Sequence, residues 1–148
     1  MLFRSSTCLR RIGRNELLAI DASKSIVNAE GLYRKKSHEY KQPGFSNSKF
    51  VISMASGGEP VFSGYAFRIL TAQGNEAKGG SENYIVDGKM TGGFAVIATP
   101  VKYQDSGIMT FIVSRDGVVY QKDLGEQTVS VAASIAEYNP VEGWTPTE

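Results

Sequence analysis

Two stretches of this sequence carry apolar residues on both faces of a β-strand, and they constrain the fold more than any other feature. "GGFAVIATPVKY" (92–103) and "GIMTFIVSR" (107–115) place aromatic, aliphatic and β-branched residues at successive positions, without the polar alternation of a half-exposed strand. Such a strand must lie in the buried centre of a sheet or be covered on both faces. The sequence therefore predicts a sheet with cover on two sides.

Other segments predict shorter strands before and between these two. "GYAFRILTAQ" (64–73) alternates large apolar residues with a second set that includes Arg68, which is typical of a half-buried strand. "NYIVDGKM" (83–90) predicts a short hairpin arm, and "KFVISM" (49–54) predicts one short strand. The period-2 pattern therefore extends the predicted sheet beyond its two central strands.

The last part of the sheet is predicted by the segment "VSRDGVVYQKDLG" (113–125), in which a turn pair separates two runs of β-formers. The pair Asp116-Gly117 has the chemistry of a two-residue type I′ turn, which requires positive φ. We expect this turn to join strand 108–115 to strand 118–122 in an antiparallel hairpin.

Helical periodicity is clearest near the N-terminus, in "NELLAIDASKSIVNAEGLYRKK" (15–36). Small and apolar residues recur there three or four positions apart, which predicts an amphipathic helix with Asn15 as its N-cap. Residues 1–14 are interpreted as disordered or artefactual, because "LFRS" is also what a translated sequencing adapter gives. We therefore expect the natural protein to begin upstream of Met1 and to carry an export signal there.

A second helix is predicted in "EQTVSVAASIAEYNP" (126–140), where an apolar stripe reaches Tyr138 and Pro140 ends it. The preceding "DLGE" offers two caps, a capping box from Asp123 or a glycine cap at Gly125. We expect Trp144, in the tail that follows, to pack back on the body of the domain.

Together these elements predict an α+β fold: an N-terminal amphipathic helix packed on an antiparallel sheet of about four main strands, with a C-terminal helix. A chain of 148 residues suits one domain, which we place at residues 15–148.

Composition limits the classes of function. Sixteen Lys and Arg against fifteen Asp and Glu leave a net charge of +1, which does not indicate nucleic acid binding. A single cysteine, Cys8, excludes an intrachain disulfide, and a lone His38 leaves little for a metal centre, so neither a metal nor a cofactor is predicted. No run approaches the ~20 apolar residues that cross a bilayer, so no transmembrane segment is predicted.

Four polar residues at predicted strand ends are the candidates for catalysis: Asp105, Asp116, Asp123 and Lys122. Two carboxylates brought together there would be able to do acid–base chemistry, which makes a small envelope hydrolase the alternative function. Local hydrogen bonding in turns and before a helix explains the same aspartates without catalysis, so no catalytic residue is assigned. An enzyme requires a deep pocket into which at least two of the four converge.

Three segments carry a resemblance to a known family: "GYAFRILTAQG", "GKMTGGFAVIATPVKYQDSGIMTFIVSRDGVVYQKDLG" and "GRNELLAIDASKSIVNAEGLYRKK". They resemble the bacterial family of domain of unknown function 2950. The resemblance implies an exported protein of Gram-negative bacteria and no established activity, so no site residue follows from it. Members of this family have a longer middle segment. The corresponding segment of this chain, "SHEYKQPGFSNSKFVISMASGGEP" (37–60), is short and departs from the family in that respect.

The layout of one helix followed by an antiparallel meander is also similar to the soluble head of a type IV pilin or pseudopilin. The long apolar helix that pilins need for assembly is not present in this sequence. The function predicted from all of these features is a non-catalytic exported module of the periplasm or the extracellular space. It would act by binding an envelope protein partner or by self-assembly.

Overall fold

A seven-stranded antiparallel sheet forms the centre of the domain in the computed structural model, which describes residues 6–37, 53–54, 60–62, 64–75, 77, 80–140 and 143–147. The strands are β1 (Ser53–Met54), β2 (Pro60–Phe62), β3 (Tyr65–Leu70), β4 (Ala72–Gln73), β5 (Glu82–Asn83), β6 (Ile85–Val86), β7 (Lys89–Met90), β8 (Ala95–Pro100), β9 (Met109–Ser114), β10 (Val119–Asp123) and β11 (Thr145–Pro146). Their order in the sheet is β1-β2-β3-β8-β9-β10-β11. Two short hairpins, β4-β5 and β6-β7, stand outside this sheet.

Four strands of five or six residues, β3, β8, β9 and β10, carry most of the sheet. They confirm the predicted number of main strands, and β6-β7 confirms the predicted hairpin arm. β1 lies within the predicted strand 49–54, of which residues 49–52 lie outside the described part of the chain.

The strand register divides the sheet into two faces, since cross-strand partners point to the same side. Phe67, Ala98 and Phe111 form one row, and the next residues along, Arg68, Ile97 and Ile112, form a row on the other side. All of these except Arg68 are buried. The two-sided apolar strands therefore have cover on both faces, as the sequence predicts.

The face that carries Phe67, Ala98 and Phe111 packs against α1 (Ser6–Ser37). Tyr65 lies on this face, two residues from Phe67, and its ring contacts Phe111 at a centroid distance of 5.6 Å. Burial raises the pKa of Tyr65, and the nearby Glu16 carboxylate on α1 raises it further. Ala19 and Ala22 of α1 are buried against the sheet, which confirms the predicted stripe of small residues on the helix. Because these side chains are small, α1 lies close to the sheet.

The start predicted for α1 is wrong, because the helix begins at Ser6 and not at Asn15. No proline interrupts residues 6–14, and Ile12 extends the buried stripe one turn towards the N-terminus with an exposed fraction of 3%. Asn15 is therefore a mid-helix residue, and its amide Nδ2 donates to the Ser106 carbonyl at 2.9 Å. The division of the chain at residue 15 and the artefactual origin of residues 1–14 stay predictions.

The opposite face, which carries Arg68, Ile97 and Ile112, packs against α2 (Thr128–Ser134). This helix is shorter than predicted. Ile135 is already extended, with φ −76° and ψ 111°, so Pro140 does not end the helix. Tyr138 lies beyond α2 and forms a parallel bridge with Gln73. The helix ends early because Arg68 of β3 donates to the carbonyl groups at its C-terminal end.

Neither predicted cap of α2 forms. The N-cap is Gln127, which makes no side-chain capping hydrogen bond. Asp123 instead accepts a hydrogen bond from the Gly125 backbone N–H at 2.9 Å, and Gly125 has φ 81°. The sequence "DLGE" therefore shapes the loop that leads into α2 and does not cap the helix.

The turn at Asp116-Gly117 also differs from the prediction. Gly117 has φ 81°, but Asp116 does not have the positive φ that a type I′ turn requires. Val113 pairs with Val119, and the Gly117 N–H donates to the Ser114 carbonyl at 3.0 Å, which gives a three-residue loop ending in a left-handed glycine. The I′ dihedral signs occur instead at Asp87-Gly88, with φ 52° and 79°.

Candidate functional site

A groove opens on the α2 face of the sheet, between the segment that follows α2 and the segment that precedes β11. Its volume is about 370 Å³. Ile112 of β9 forms the floor, and Trp144 forms one wall. The remaining lining residues, Ser134, Ile135, Ala136, Glu137 and Asn139, come from the end of α2 and the extended chain after it.

Arg68 supports the wall on the α2 side from behind, without lining the groove itself. Its guanidinium Nη2 donates to the carbonyl oxygens of Ala132 at 2.8 Å and Ile135 at 2.9 Å. These carbonyls lie at the C-terminal end of α2, where the helix leaves its acceptors unsatisfied and favours a cation. The contact ends α2 and directs the chain along the edge of the groove.

The opposite wall depends on the pairing of β10 with β11. Gln121 lies opposite Thr145 in this ladder, which places Trp144 next to Lys122. A left-handed glycine, Gly143 with φ 99°, brings the chain close to the Lys122 side chain, whose Cε lies 3.0 Å from the position of a Cβ at residue 143. Trp144 is partly buried against the core, so the prediction that it packs on the body of the domain is confirmed.

A pair of buried tyrosines lies beyond the end of the groove. The Tyr84 hydroxyl donates to Gln73 Oε1 at 2.8 Å, and Tyr138 is 3% exposed. Burial raises the pKa of Tyr138 to about 12, and a hydrogen bond with Ser114 opposes this rise. Burial likewise raises the pKa of Tyr84. Both phenols are therefore protonated at neutral pH and can donate hydrogen bonds within the core.

Each of the three candidate aspartates accepts a hydrogen bond from another group of the fold. Asp105 Oδ1 accepts from Arg11 Nη2 at 2.7 Å, in an ion pair that is half exposed on both sides. Asp123 accepts from the Tyr103 hydroxyl at 2.7 Å, and this hydrogen bond is the main cause that raises the pKa of Tyr103. These two contacts tie the turn after β8 to α1 and to β10.

Asp116 lies in the loop between β9 and β10, at the opposite end of this hairpin from Asp123, which pairs with Met109. Its carboxylate accepts from the Ser114 hydroxyl at 2.9 Å and from the Val118 N–H at 3.1 Å. Lys122 runs beside Gly143. None of the four candidate residues lines the groove, and Asp116 is not brought together with Asp123.

The described residues contain neither a candidate metal site nor a candidate membrane span. No group of three or more His, Cys, Asp or Glu side chains is placed there to hold a metal ion. Within the same ranges, no helix combines the length and the apolar character needed to cross a bilayer. His38 and the side chain of Cys8 lie outside the part of the chain that can be described.

Sequence reasoning missed the residues that form the groove. Glu137 and Asn139 belong to the segment that was predicted as helix, so their position beside Trp144 did not follow from a helical pattern. Arg68 offered the clearest signal, because a cation inside an otherwise apolar strand needs an acceptor on the covered face of the sheet. The C-terminal carbonyls of a covering helix are such acceptors.

The fold and the groove define the protein as a three-layer α+β domain, with one helix on each face of an antiparallel sheet. The chain belongs to the family described as protein of unknown function (DUF2950), whose model matches residues 4–57 and 49–147. This confirms the family resemblance of the sequence. No curated protein matches the chain, and no solved structure matches it, so the similarity to pilin heads gains no support.

Proposed function

We propose that this protein is a non-catalytic exported module that acts by binding in the cell envelope, with the groove beside Trp144 as its contact surface. The observation that carries the proposal is that Asp105, Asp116 and Asp123 each accept hydrogen bonds from the fold itself. A general acid or base needs a position facing the substrate. These three aspartates hold turns of the fold in place, so a structural role explains them without catalysis.

The composition of the groove supports a binding role. Ile112, Ile135 and Trp144 supply apolar and aromatic surface, whereas Glu137 and Ser134 add a carboxylate and a hydroxyl at the rim. Apolar surface contributes most of the affinity in such sites, and a few polar groups fix the orientation of the ligand. The alternative function, an envelope hydrolase that uses the strand-end carboxylates, gains no support from the groove, because none of those residues lines it.

The occupant we propose is a short segment of another envelope protein. Stable dimers bury about 800 Å² on each partner, which takes roughly twenty residues a side. The groove is lined by seven residues, which is enough for a few side chains of an extended segment. Self-assembly through the same surface is the competing outcome of the experiment below.

Photo-crosslinking in cells tests the proposal. A photoreactive residue at Ala136, an exposed lining position, should form an adduct with one partner protein. The substitution Ser134→Trp fills the groove and should abolish this adduct. Ala133→Trp adds the same side chain at an exposed position of α2 outside the groove, and should leave the adduct unchanged.

Three results would contradict parts of the proposal. An adduct that survives Ser134→Trp would remove the groove as the contact surface, and an adduct of two copies would replace the partner by self-assembly. A hydrolytic activity of the purified chain that Asp105→Asn abolishes, while circular dichroism shows an unchanged fold, would establish the enzyme alternative.

Export is the second part of the proposal, and it rests on the family resemblance. The product of the intact gene, expressed in a Gram-negative host, should appear in the periplasmic fraction or the medium. Recovery of the intact product from the cytoplasm alone would contradict export. That result would not affect binding at the groove, which the crosslinking experiment measures separately.

A further inference from the structure

The outer face of α1 near its N-terminus carries a concentration of positive charge that the net charge of the chain does not reveal. Arg10, Arg14 and Leu17 follow one another at intervals of four and three residues, so they lie on one stripe of the helix. All three are exposed, and Leu17, at 66%, has the highest exposed fraction of the large apolar side chains in the described residues. This stripe points away from the sheet, because the buried stripe includes Ile12 and Ala19.

A fourth residue joins the same end of the molecule from the turn after β8. The ion pair between Arg11 and Asp105 fastens that turn to α1, and Asn15 of α1 donates to the Ser106 carbonyl. The exposed Lys102 belongs to this turn, and its backbone N–H donates to Ser106 Oγ at 3.0 Å. We call Arg10, Arg14, Leu17 and Lys102 the basic patch.

Two of the acidic side chains close to the basic patch are engaged by the fold. Asp105 is neutralised by Arg11, and the Glu16 carboxylate points to the sheet, where it accepts from the Met109 N–H at 2.9 Å. Asp21, one turn beyond Leu17 on the same stripe, marks the limit of the patch. Of these three carboxylates, two are therefore engaged by the fold, and the third, Asp21, lies exposed at the edge of the basic patch.

We propose that the basic patch docks the protein on the surface of an anionic phospholipid bilayer. Cations near such a surface are attracted by its negative potential, and each Lys or Arg strengthens binding by about fivefold. An exposed leucine one helical turn from Arg14 favours lipid over nucleic acid, because an apolar side chain inserts at the boundary between headgroups and acyl chains. This proposal uses α1 and does not depend on the groove.

Sedimentation of the full 148-residue chain with large vesicles tests the docking. Vesicles of phosphatidylcholine with phosphatidylglycerol should bind the protein at low salt, and vesicles of phosphatidylcholine alone should not. High salt should release it, since screening shortens the reach of exposed charges. The double variant Arg10→Gln with Arg14→Gln should bind the anionic vesicles about 25-fold more weakly.

A matched control removes the same amount of charge elsewhere. Lys35→Gln with Lys89→Gln changes two exposed cations outside the basic patch and should stay within about twofold of the parent protein. Leu17→Ser should weaken binding to vesicles severalfold and leave any binding to duplex DNA unchanged.

Equal losses in the two double variants would overturn the patch, because non-specific attraction would then explain binding. Absence of sedimentation with anionic vesicles at low salt would overturn docking itself. Tighter binding to duplex DNA than to the vesicles, with no effect of Leu17→Ser on either, would assign the patch to a nucleic acid instead. Circular dichroism of each variant verifies that α1 is intact.

Discussion

The two faces of the sheet are covered in different ways. On one face, α1 covers the sheet with 32 residues and adds polar anchors from Asn15 and Glu16 to the turn before β9. On the other face, α2 has seven residues and is fastened at its C-terminal end by Arg68. The short helix leaves part of its face of the sheet open beside Trp144, and the groove lies there. The groove therefore arises where the cover of the sheet is incomplete.

The largest effect is expected on the α1 side from Gly107→Ala. A Cβ at this position would lie 2.2 Å from the Tyr65 hydroxyl oxygen, and Tyr65 is fully buried with its hydroxyl bonded to the Met109 carbonyl. Because the ring has no room to move, we expect a loss of about 3 kcal/mol in the free energy of unfolding. Urea denaturation measures it.

Gly31→Ala is the matched control for that substitution. Gly31 also lies on the α1 side, in the helix itself, and nothing lies within 4 Å of its added Cβ. Alanine should therefore raise stability by up to about 1 kcal/mol through helix propensity. A similar loss in both variants would show that the α1 layer is not closely packed at Gly107.

The α2 side should respond to Arg68→Met with a smaller and more local loss. Methionine keeps apolar contact with the sheet but removes two charge-assisted hydrogen bonds to the end of α2, which should cost about 2 kcal/mol. Hydrogen exchange should accelerate at residues 128–135 before it changes in β8 and β9. Uniform acceleration over the whole sheet would contradict the local role of Arg68.

The same contrast explains which parts of the structure were predictable. The central strands and α1 follow from periodic patterns, because burial on one or two faces repeats along the sequence. The length of α2 does not follow from its own pattern, since Arg68, sixty residues earlier than Thr128, ends the helix from the sheet. The groove depends on that long-range contact, so its lining residues were not predictable from local sequence.

The type of a turn was also not predictable from its dipeptide, although all of the residues that decide it are close in sequence. Asp116-Gly117 and Asp87-Gly88 are the same dipeptide, but only the second has positive φ at both residues. The Asp116 carboxylate binds the Ser114 hydroxyl and the Val118 N–H, which favours the three-residue loop. Turn type was therefore decided by a neighbouring hydroxyl that a dipeptide rule does not include.

The anchors of α1 should matter less than Arg68. The Glu16 carboxylate accepts from the Met109 N–H at 2.9 Å and from the Ile108 N–H at 3.4 Å, both at the start of β9. Glu16→Ala should cost about 1.5 kcal/mol, because these partly buried donors lose a charged acceptor. Asp21→Ala, on the exposed side of the same helix, should change stability by less than about 0.5 kcal/mol. Equal effects in a denaturation series would show that Glu16 is not an anchor.

The smallest effect is expected on the α2 side and has the opposite sign. Thr110 lies two residues before Ile112 on that face, and its hydroxyl is fully buried without a hydrogen-bond partner in the described structure. Thr110→Val keeps the shape and removes the unsatisfied group, so stability should rise by up to about 1 kcal/mol. Thr128 is equally buried, but its hydroxyl donates to the Gly125 carbonyl, so Thr128→Val should lower stability by about 1 kcal/mol. The two variants, compared by urea denaturation, separate the loss of a made hydrogen bond from the removal of an unmade one. A loss of stability in both would contradict the assignment of the Thr110 hydroxyl as an unsatisfied group.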